Sequence, residues 1–399
     1  MKNMKTVFLE RKPETASSEK FGVGQAQKVR NFHRSLPGYE PTRLVELKSL
    51  AALLGVRSIE VKDESSRFGL NAFKGLGGSY AVARELGRRL NLKDSELNFN
   101  YLSSNKVKER LKGQTLITAT DGNHGRGVAW TAQQLGLNCV VLMPKGSAEE
   151  RLDNIRRLGA QASITDLTYD ETVRSAAETA HQNEWILMQD TDWEGYRLIP
   201  CEIMQGYTTM ALEAAEQMED RPTHIFLQAG VGAMSGALTG FFADLYGDDL
   251  DAPRIIIVEP QAADCIFRTA AADDGELYAV PGELDTIMAG LACGTPCQTG
   301  WDQIRAHADC CIAIPESSAA DGMRILGNPL AGDPAVISGE SGAAGFGCLT
   351  DILRQPDLAE LKDKLDLDSS SRILCFSTEG ATYEKGYRDI VWDGKQFPD

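Results

Sequence analysis

Short apolar runs alternate with helical patterns along the chain, and this alternation constrains the fold more than any other feature. The runs are almost continuously apolar, as strands buried on both faces of a parallel sheet are. They occupy 58–61, 115–120, 139–144, 185–190, 224–229, 254–259, 310–315 and 372–377. Between them apolar residues recur at helical spacing, as at Val128, Ala132 and Leu135. The pattern predicts an α/β architecture with mostly parallel sheets, and 399 residues suffice for two to three domains.

Charge and hydropathy narrow the range of partners. The formal net charge is −16, which would repel a nucleic acid backbone, so no nucleic acid partner is expected. The stretch 225–243 carries no charge but contains four glycines, so it is predicted to be a buried strand, loop and helix and not a membrane span. The polar first thirty residues predict an arm and not a strand of the core.

The cysteines indicate a reducing compartment, and the spacing of some of them raises the possibility of a metal site. Nine cysteines without a visible secretory signal favour free thiols in a reducing, cytoplasmic environment. Cys293, Cys297, His307 and Cys310 have the spacing C-x3-C-x9-H-x2-C, which could be a zinc site. Cys310, however, begins an apolar strand-like run, so buried structural cysteines are the preferred interpretation and no metal is predicted.

Three glycine-containing loops each follow an apolar run. They are 120–127 (TDGNHGRG), 229–236 (AGVGAMSG) and 377–382 (STEGAT). Glycine permits tight turns and close backbone approach, and the helix that follows offers free N–H groups to an anion. Because loops after parallel strands share the carboxyl edge of a sheet, we expect these three to form a ligand site.

The second loop admits a rival interpretation. Gly230, Gly232 and Gly236 resemble a dinucleotide-binding fingerprint with one extra residue. Glu259 ends the next strand, 23 residues after Gly236, where a ribose-binding carboxylate would stand. A nicotinamide-dependent oxidoreductase is therefore one alternative.

A lysine in an unusual setting favours different chemistry. Lys74 lies in the stretch FKGLGG, between Phe73 and three nearby glycines. A lysine amine forms Schiff bases with carbonyl compounds when its surroundings lower its basicity. Together with glycine-rich helix starts on an α/β sheet, this lysine indicates carbonyl chemistry next to a bound anion.

Long ordered stretches of the chain resemble the fold-type II pyridoxal-phosphate enzymes, the relatives of tryptophan synthase β, threonine dehydratase and cysteine synthase. The stretches are PTRL (41–44), IEVKDESSRFGLNAFKGLGG (59–78) and DGNHGRGVAWTAQQLG (121–136). QDTDWEGY, QAGVGAMSG, TIMAGLACG and SGESGA extend the resemblance to nearly the whole chain. Within that family they are most similar to members that eliminate ammonia from 2,3-diaminopropionate. The resemblance implies pyridoxal 5'-phosphate as cofactor, an amino acid as substrate, and pyruvate with two ammonia as products.

The resemblance also implies roles for individual residues. Lys74 would be linked covalently to the cofactor, Phe73 would lie beside it, and Asn123 would hydrogen-bond its phenolic oxygen. Ser377 or Thr378 would face the pyridine nitrogen, the choice between them being open. The phosphate would be bound by backbone N–H groups of Gly230, Val231, Gly232, Ala233 and Met234.

Two aspartates are predicted to act on the substrate. The dehydratase relatives have a small polar residue where this chain has Asp121, and an aspartate there can pair with an ammonium group or take a proton. Lys74 and Asp121 are the two candidate bases, on opposite faces of the substrate; the alternative for Asp121 is an N-cap of the helix that follows. Asp190 is a second candidate partner for the substrate's β-ammonium, or else a cap at a strand end. His124 is expected to shape its loop.

The resemblance further implies the fold-type II architecture, with two domains that each contain a mostly parallel sheet flanked by helices. The large cofactor-binding domain would comprise 1–77 and 192–399, and the small substrate-side domain 78–191. Such enzymes are usually homodimers. A serine or threonine dehydratase of the same fold, the oxidoreductase and a non-catalytic binding protein remain alternatives; Asp121 argues against the first and an intact Lys74 against the third.

Overall fold

A computed structural model of the chain describes residues 4–120, 122–247, 251–282 and 284–396, without the side chain of Ser95. The described residues form two compact units. The first unit draws on 1–23, 41–66 and 210–399, and the second on 24–40 and 67–209. The predicted domain boundaries stay a prediction, because compact packing divides the chain at different residues and does not by itself define domains.

The strands of the described residues are β1 (Lys5–Phe8), β2 (Leu44–Glu46), β3 (Ser58–Asp63), β4 (Thr115–Ala119), β5 (Asn138–Met143), β6 (Gln161–Ile164), β7 (Ile186–Leu187), β8 (His224–Gln228), β9 (Arg254–Pro260), β10 (Cys310–Ile314) and β11 (Arg372–Ser377). The α-helices are α1 (Val23–His33), α2 (Lys48–Leu54), α3 (Lys74–Leu90), α4 (Phe99–Leu102), α5 (Asn105–Arg110), α6 (Asn123–Leu135), α7 (Glu149–Arg156), α8 (Tyr169–Asn183), α9 (Leu198–Gln217), α10 (Ala233–Tyr246), α11 (Cys265–Ala272), α12 (Gln298–His307), α13 (Glu316–Gly327), α14 (Ala344–Arg354), α15 (Ala359–Lys364) and α16 (Glu384–Val391).

The first unit contains a seven-stranded sheet in the order β1-β10-β9-β8-β11-β3-β2. The five inner strands are mutually parallel, and the two edge strands, β1 and β2, are antiparallel to their neighbours. Every residue of β8 and of β10 is buried, which explains the continuous apolar runs in the sequence. The last strand of the chain, β11, lies between β8 and β3.

The second unit contains a four-stranded parallel sheet in the order β6-β5-β4-β7. Its central strand β4 is buried along its whole length. Helix α6 follows β4 directly and packs against α3, so the loop 120–127 and the start of α3 belong to the same unit.

The predicted α/β fold with mostly parallel sheets is confirmed, and each of the eight predicted runs contains a strand. The uncharged stretch 225–243 is β8, a loop and α10, as predicted. None of the helices in the described ranges has the length and apolar character to span a membrane. The prediction for the first thirty residues was wrong in part, because Lys5–Phe8 pairs with β10 as an edge strand.

Candidate active site

Lys74 is the first residue of α3, and close helix packing explains the glycines around it. A Cβ added at Gly127 of α6 would lie 2.9 Å from the carbonyl oxygen of Lys74. One added at Gly77 would lie 2.8 Å from the carbonyl oxygen of Ile203 in α9. Glycine therefore lets two helices approach the backbone at the start of α3. These contacts with α6 and α9 hold the backbone at Lys74 in place.

The ammonium group of Lys74 is paired with a carboxylate. Its Nζ donates to Oδ2 of Asp190 at 2.6 Å. The side chains are 19% and 7% exposed respectively, so the pair is partly shielded from water and retains some access. Phe73 precedes the lysine, and its ring lies 5.8 Å from the Nζ atom and packs against Tyr207. The contact fixes the position of the amine, which must give up its proton before it can react with a carbonyl group.

His124 lies against the same carboxylate oxygen. Its Nε2 is 2.7 Å from the carbonyl oxygen of Met188, which can only accept, so Nε2 carries a proton. Its Nδ1 lies 3.7 Å from Oδ2 of Asp190. Burial alone would raise the pKa of Asp190, but the charges of His124 and Lys74 outweigh burial and lower that pKa to about 2. Asp190 is therefore a carboxylate at neutral pH, suited to binding an ammonium group.

The first glycine loop is organised by Thr120. Its Oγ1 accepts hydrogen bonds from the backbone N–H groups of Gly122 at 2.9 Å and Gly125 at 3.2 Å. Gly122 has φ of +151°, which favours glycine, and Asn123 begins α6. Asp121 lies outside the described residues, so its predicted role stays a prediction.

The second glycine loop, in the first unit, presents free backbone donors. Gly232 has φ of +88° and caps α10, a helix of 14 residues. Close contact with α12 fixes the loop, since a Cβ at Gly236 would lie 2.5 Å from the carbonyl oxygen of Gly300. Within the described part of the chain, the backbone N–H groups of 230–234 donate to no backbone carbonyl oxygen, whereas those of Ala229 and Gly236 do. This loop fits a phosphate group.

The third loop is next to the second, because β11 pairs with β8. Ser377 donates from Oγ to Oγ of Ser338 at 2.8 Å, and Thr378 accepts at Oγ1 from Nε2 of Gln228 at 3.0 Å. Both hydroxyls are buried and fixed, so either could serve the pyridine nitrogen. The expectation that all three loops share one sheet edge was wrong, because the loop 120–127 follows β4 of the other sheet.

Glu259 does not behave as a ribose-binding residue. Its carboxylate accepts from the backbone N–H groups of Ile266 at 2.9 Å and Phe267 at 2.7 Å, so it caps α11. Burial raises the pKa of Glu259 to about 8. The dinucleotide-binding alternative therefore lacks its ribose-binding carboxylate.

The cysteines serve packing. All nine are free thiols, and seven of them are buried: Cys139, Cys265, Cys297, Cys310, Cys311, Cys348 and Cys375. Cys310 lies inside β10, and Nε2 of His307 hydrogen-bonds the carbonyl oxygen of Ala16. Over the described ranges, no group of three or more His, Cys, Asp or Glu side chains is arranged to hold a metal ion.

Two glutamines near the site were not singled out from the sequence. Gln189 contacts Asp190, and Gln228 holds Thr378. Each stands at the end of an apolar run, where a polar residue is common. The sequence could have identified them in one way: a glutamine stands in each run at a position where a buried strand usually has an apolar side chain.

Pyridoxal phosphate requires a lysine amine and a phosphate-binding loop; Lys74 of the second unit offers the amine, and 229–236 of the first unit offers the loop. The fold and these residues thus define an α/β enzyme of carbonyl chemistry with a phosphorylated cofactor. The chain belongs to the pyridoxal-phosphate dependent enzyme family, whose model matches residues 36–375.

Known proteins resemble the chain over almost its full length. It is 50% identical over 382 residues to diaminopropionate ammonia-lyase of Escherichia coli (strain K12), covering 95% of this chain and 94% of that one. The crystal structure of holo diaminopropionate ammonia lyase from Escherichia coli matches with a TM-score of 0.93 and 48% identity, covering 99% and 98% of the two chains. That enzyme's structure in complex with an aminoacrylate-PLP azomethine reaction intermediate matches at 0.91 and 47%, with the same coverage. The predicted family resemblance is confirmed.

Proposed function

We propose that this chain eliminates ammonia from 2,3-diaminopropionate with pyridoxal phosphate as cofactor. The observation that carries the proposal is the 2.6 Å contact between Lys74 Nζ and Asp190 Oδ2 in a chain so similar to a diaminopropionate ammonia-lyase. The net reaction consumes one water and yields pyruvate and two ammonium ions from the doubly protonated diamino acid. Bound pyridoxal phosphate would supply the electron sink that makes the Cα proton of an amino acid acidic.

The residues on this chain divide the remaining work. Lys74 would hold the cofactor covalently and Phe73 would flank it, while Asn123 would hydrogen-bond the phenolic oxygen. The N–H groups of Gly230, Val231, Gly232, Ala233 and Met234 would bind the phosphate, which their free donors support. Ser377 or Thr378 would face the pyridine nitrogen.

Asp190 is assigned to the β-ammonium group of the substrate. Its low pKa makes it a weak proton acceptor, and as an ionised carboxylate it can bind an ammonium group. Its hydrogen bonds to Lys74 and Gln189 support this role over a strand-end cap. Asp121 is proposed as a base on the face opposite Lys74, which would allow both isomers of the substrate to react.

The decisive experiment is the visible spectrum of the purified protein with pyridoxal phosphate, followed by addition of 2,3-diaminopropionate. The wild-type protein should be yellow and should release pyruvate and ammonia in a ratio of one to two. Lys74→Ala should lack the band and the activity, whereas replacement of an exposed lysine, Lys145→Ala, should leave both unchanged.

Other outcomes would contradict parts of the proposal. A colourless wild-type protein would contradict the cofactor assignment for Lys74. A yellow protein that deaminates serine or threonine but leaves diaminopropionate intact would favour the dehydratase alternative.

We also propose a cytoplasmic homodimer. The nine free thiols support a reducing compartment, and the family resemblance implies the dimer. Light scattering of the purified protein should give about twice the 43.4 kDa chain mass.

A further inference from the structure

The side-chain amide of Gln189 has a fixed orientation in the second unit. Gln189 is fully buried. Its Oε1 accepts from the backbone N–H of Ala119 at 3.0 Å and from the hydroxyl of Thr118 at 3.2 Å. A backbone N–H can only donate, so the oxygen of the amide must face β4. The amide nitrogen must then face the opposite way.

On that opposite side the amide nitrogen meets the carboxylate of Asp190. Nε2 of Gln189 donates to Oδ1 of Asp190 at 3.3 Å and to the hydroxyl of Tyr169 at 3.3 Å. The other carboxylate oxygen, Oδ2, is the one that accepts from Lys74. The two oxygens of Asp190 therefore have separate partners, and rotation of the carboxylate would break both contacts.

The main chain of Gln189 is fixed as well. Its N–H donates to the hydroxyl oxygen of Tyr196 at 3.0 Å, and that hydroxyl donates to the carbonyl oxygen of Leu187 at 2.8 Å. The ring of Tyr196 stacks on Trp193 with centroids 4.4 Å apart. Residue 189 is thus held at its backbone by the loop and at its side chain by β4.

We propose that Gln189 is a positioning residue for the reaction: by holding Oδ1 of Asp190 it directs Oδ2 at Lys74. The role of Gln189 in catalysis rests on the proposed function. The contact between Gln189 and Asp190 does not depend on it. The charged and titratable groups that face Asp190 from the described elements are Lys74 of α3, His124 of α6 and Tyr196 of its own loop. Tyr169 of α8 reaches it through Gln189.

Gln189→Met tests the inference because it keeps the length of the side chain and removes both polar ends. Without the amide donor nothing holds Oδ1 of Asp190, so kcat/KM for diaminopropionate should fall on the order of 10-fold. In cofactor-free protein the hydrogen bond from the ammonium of Lys74 to Oδ2 of Asp190 should weaken. Acylation of Lys74, followed by mass spectrometry, should then begin at a pH lower by about half a unit.

Two companion variants sharpen the test. Gln189→Glu keeps the side-chain volume and an oxygen for Ala119, and it places a second oxygen against Asp190. It should lower kcat/KM at least as far as the Met variant, because repulsion turns the carboxylate of Asp190 away from its position. Tyr169→Phe removes the other partner of the same amide nitrogen and should change neither kcat/KM nor the acylation of Lys74.

The result that would overturn the inference is a wild-type kcat/KM together with a wild-type Lys74 acylation profile in both Gln189 variants. Such variants, even with a lower melting temperature, would show that Gln189 only braces the backbone. Failure of the proposed function would show instead in the wild-type protein, which would form no visible band and release no pyruvate. The acylation comparison needs no cofactor and decides the inference in that case too.

Discussion

At the scale of single residues, the glycines that follow Lys74 in α3 determine the position of its amine. Gly77 lies inside α3, where a glycine costs about 1 kcal/mol relative to alanine. The space explains its presence, since an added Cβ would lie 2.5 Å from Cε1 of Tyr207 and 2.8 Å from the carbonyl oxygen of Ile203. The contact with α9 is therefore between backbones, and it leaves no room for a methyl group.

Gly77→Ala should destabilise the protein by about 2 kcal/mol or more through overpacking against backbone. Because the start of α3 would shift, activity should fall on the order of 100-fold, the effect of a displacement near 1 Å at a catalytic group. Thermal unfolding and steady-state kinetics measure the two effects. Gly24→Ala in α1 is the matched control, since an added Cβ there meets nothing within 4 Å. A Gly77→Ala protein with wild-type melting and rate would contradict this account.

Residue roles were predictable only where a residue type was unusual for its place. Lys74 among glycines could be recognised from the sequence, because neither packing nor solubility requires that combination. Gln189 could not, since a polar residue at the end of an apolar run is ordinary and its partners, Ala119 and Tyr169, are distant in the chain. The 2.6 Å pairing of Lys74 with Asp190 joins residues 116 positions apart, which no local pattern reveals.

At the scale of elements, β2 and β3 place two like charges opposite each other. Glu46 and Glu60 are directly paired in the antiparallel register. Burial, and then the charge of Glu46, raise the pKa of Glu60 from 4.5 to about 7. A folded-state pKa above the unfolded value means that stability is present below pH 4.5 and is lost as the pH rises through 7.

Glu60→Gln should therefore stabilise the protein at pH 8 and have little effect near pH 4.5. After allowance for solvent screening of a half-buried side chain, the gain should be about 1 kcal/mol. Urea unfolding at the two pH values measures it, with Glu178→Gln on the exposed face of α8 as a control that should show no such pH dependence. An equal effect of Glu60→Gln at both pH values would contradict the like-charge explanation.

Elements with strong patterns were predicted and weak ones were not. Strands such as β8 and β10 are buried on every residue, so their sequences are continuous apolar runs. The strands that the pattern missed, β1, β2 and β6, have three or four residues and include exposed positions. Short edge strands acquire their structure from the neighbour with which they pair, and the local sequence does not encode that neighbour.

At the scale of the whole molecule, the two ends of the chain contribute to the same sheet with unequal importance. β1 forms one edge and pairs with β10 alone among the strands of the described residues, whereas β11 lies between β8 and β3. Loss of an edge strand leaves the remaining ladder intact. Loss of an inner strand exposes two long unpaired edges, which promote aggregation.

Deletion of residues 1–9 should leave a folded protein with a melting temperature lower by about 5 °C. Deletion of 372–399 should abolish soluble expression. Soluble yield and far-ultraviolet circular dichroism compare the two proteins. A soluble, cooperatively melting C-terminal deletion would show that the seven-stranded sheet does not depend on β11.

The place of β11 also affects how the chain can fold as it leaves the ribosome. The strands of the four-stranded sheet, between Thr115 and Leu187, are all synthesised before β8 begins. The second unit can therefore form while translation continues. The seven-stranded sheet must wait for Arg372–Ser377, and at elongation rates of about 5–20 residues per second the gap after β8 lasts on the order of ten seconds. During that interval the apolar edges of β8 and β3 are available to chaperones, so the yield of this enzyme in a cell should depend on the supply of chaperones late in synthesis.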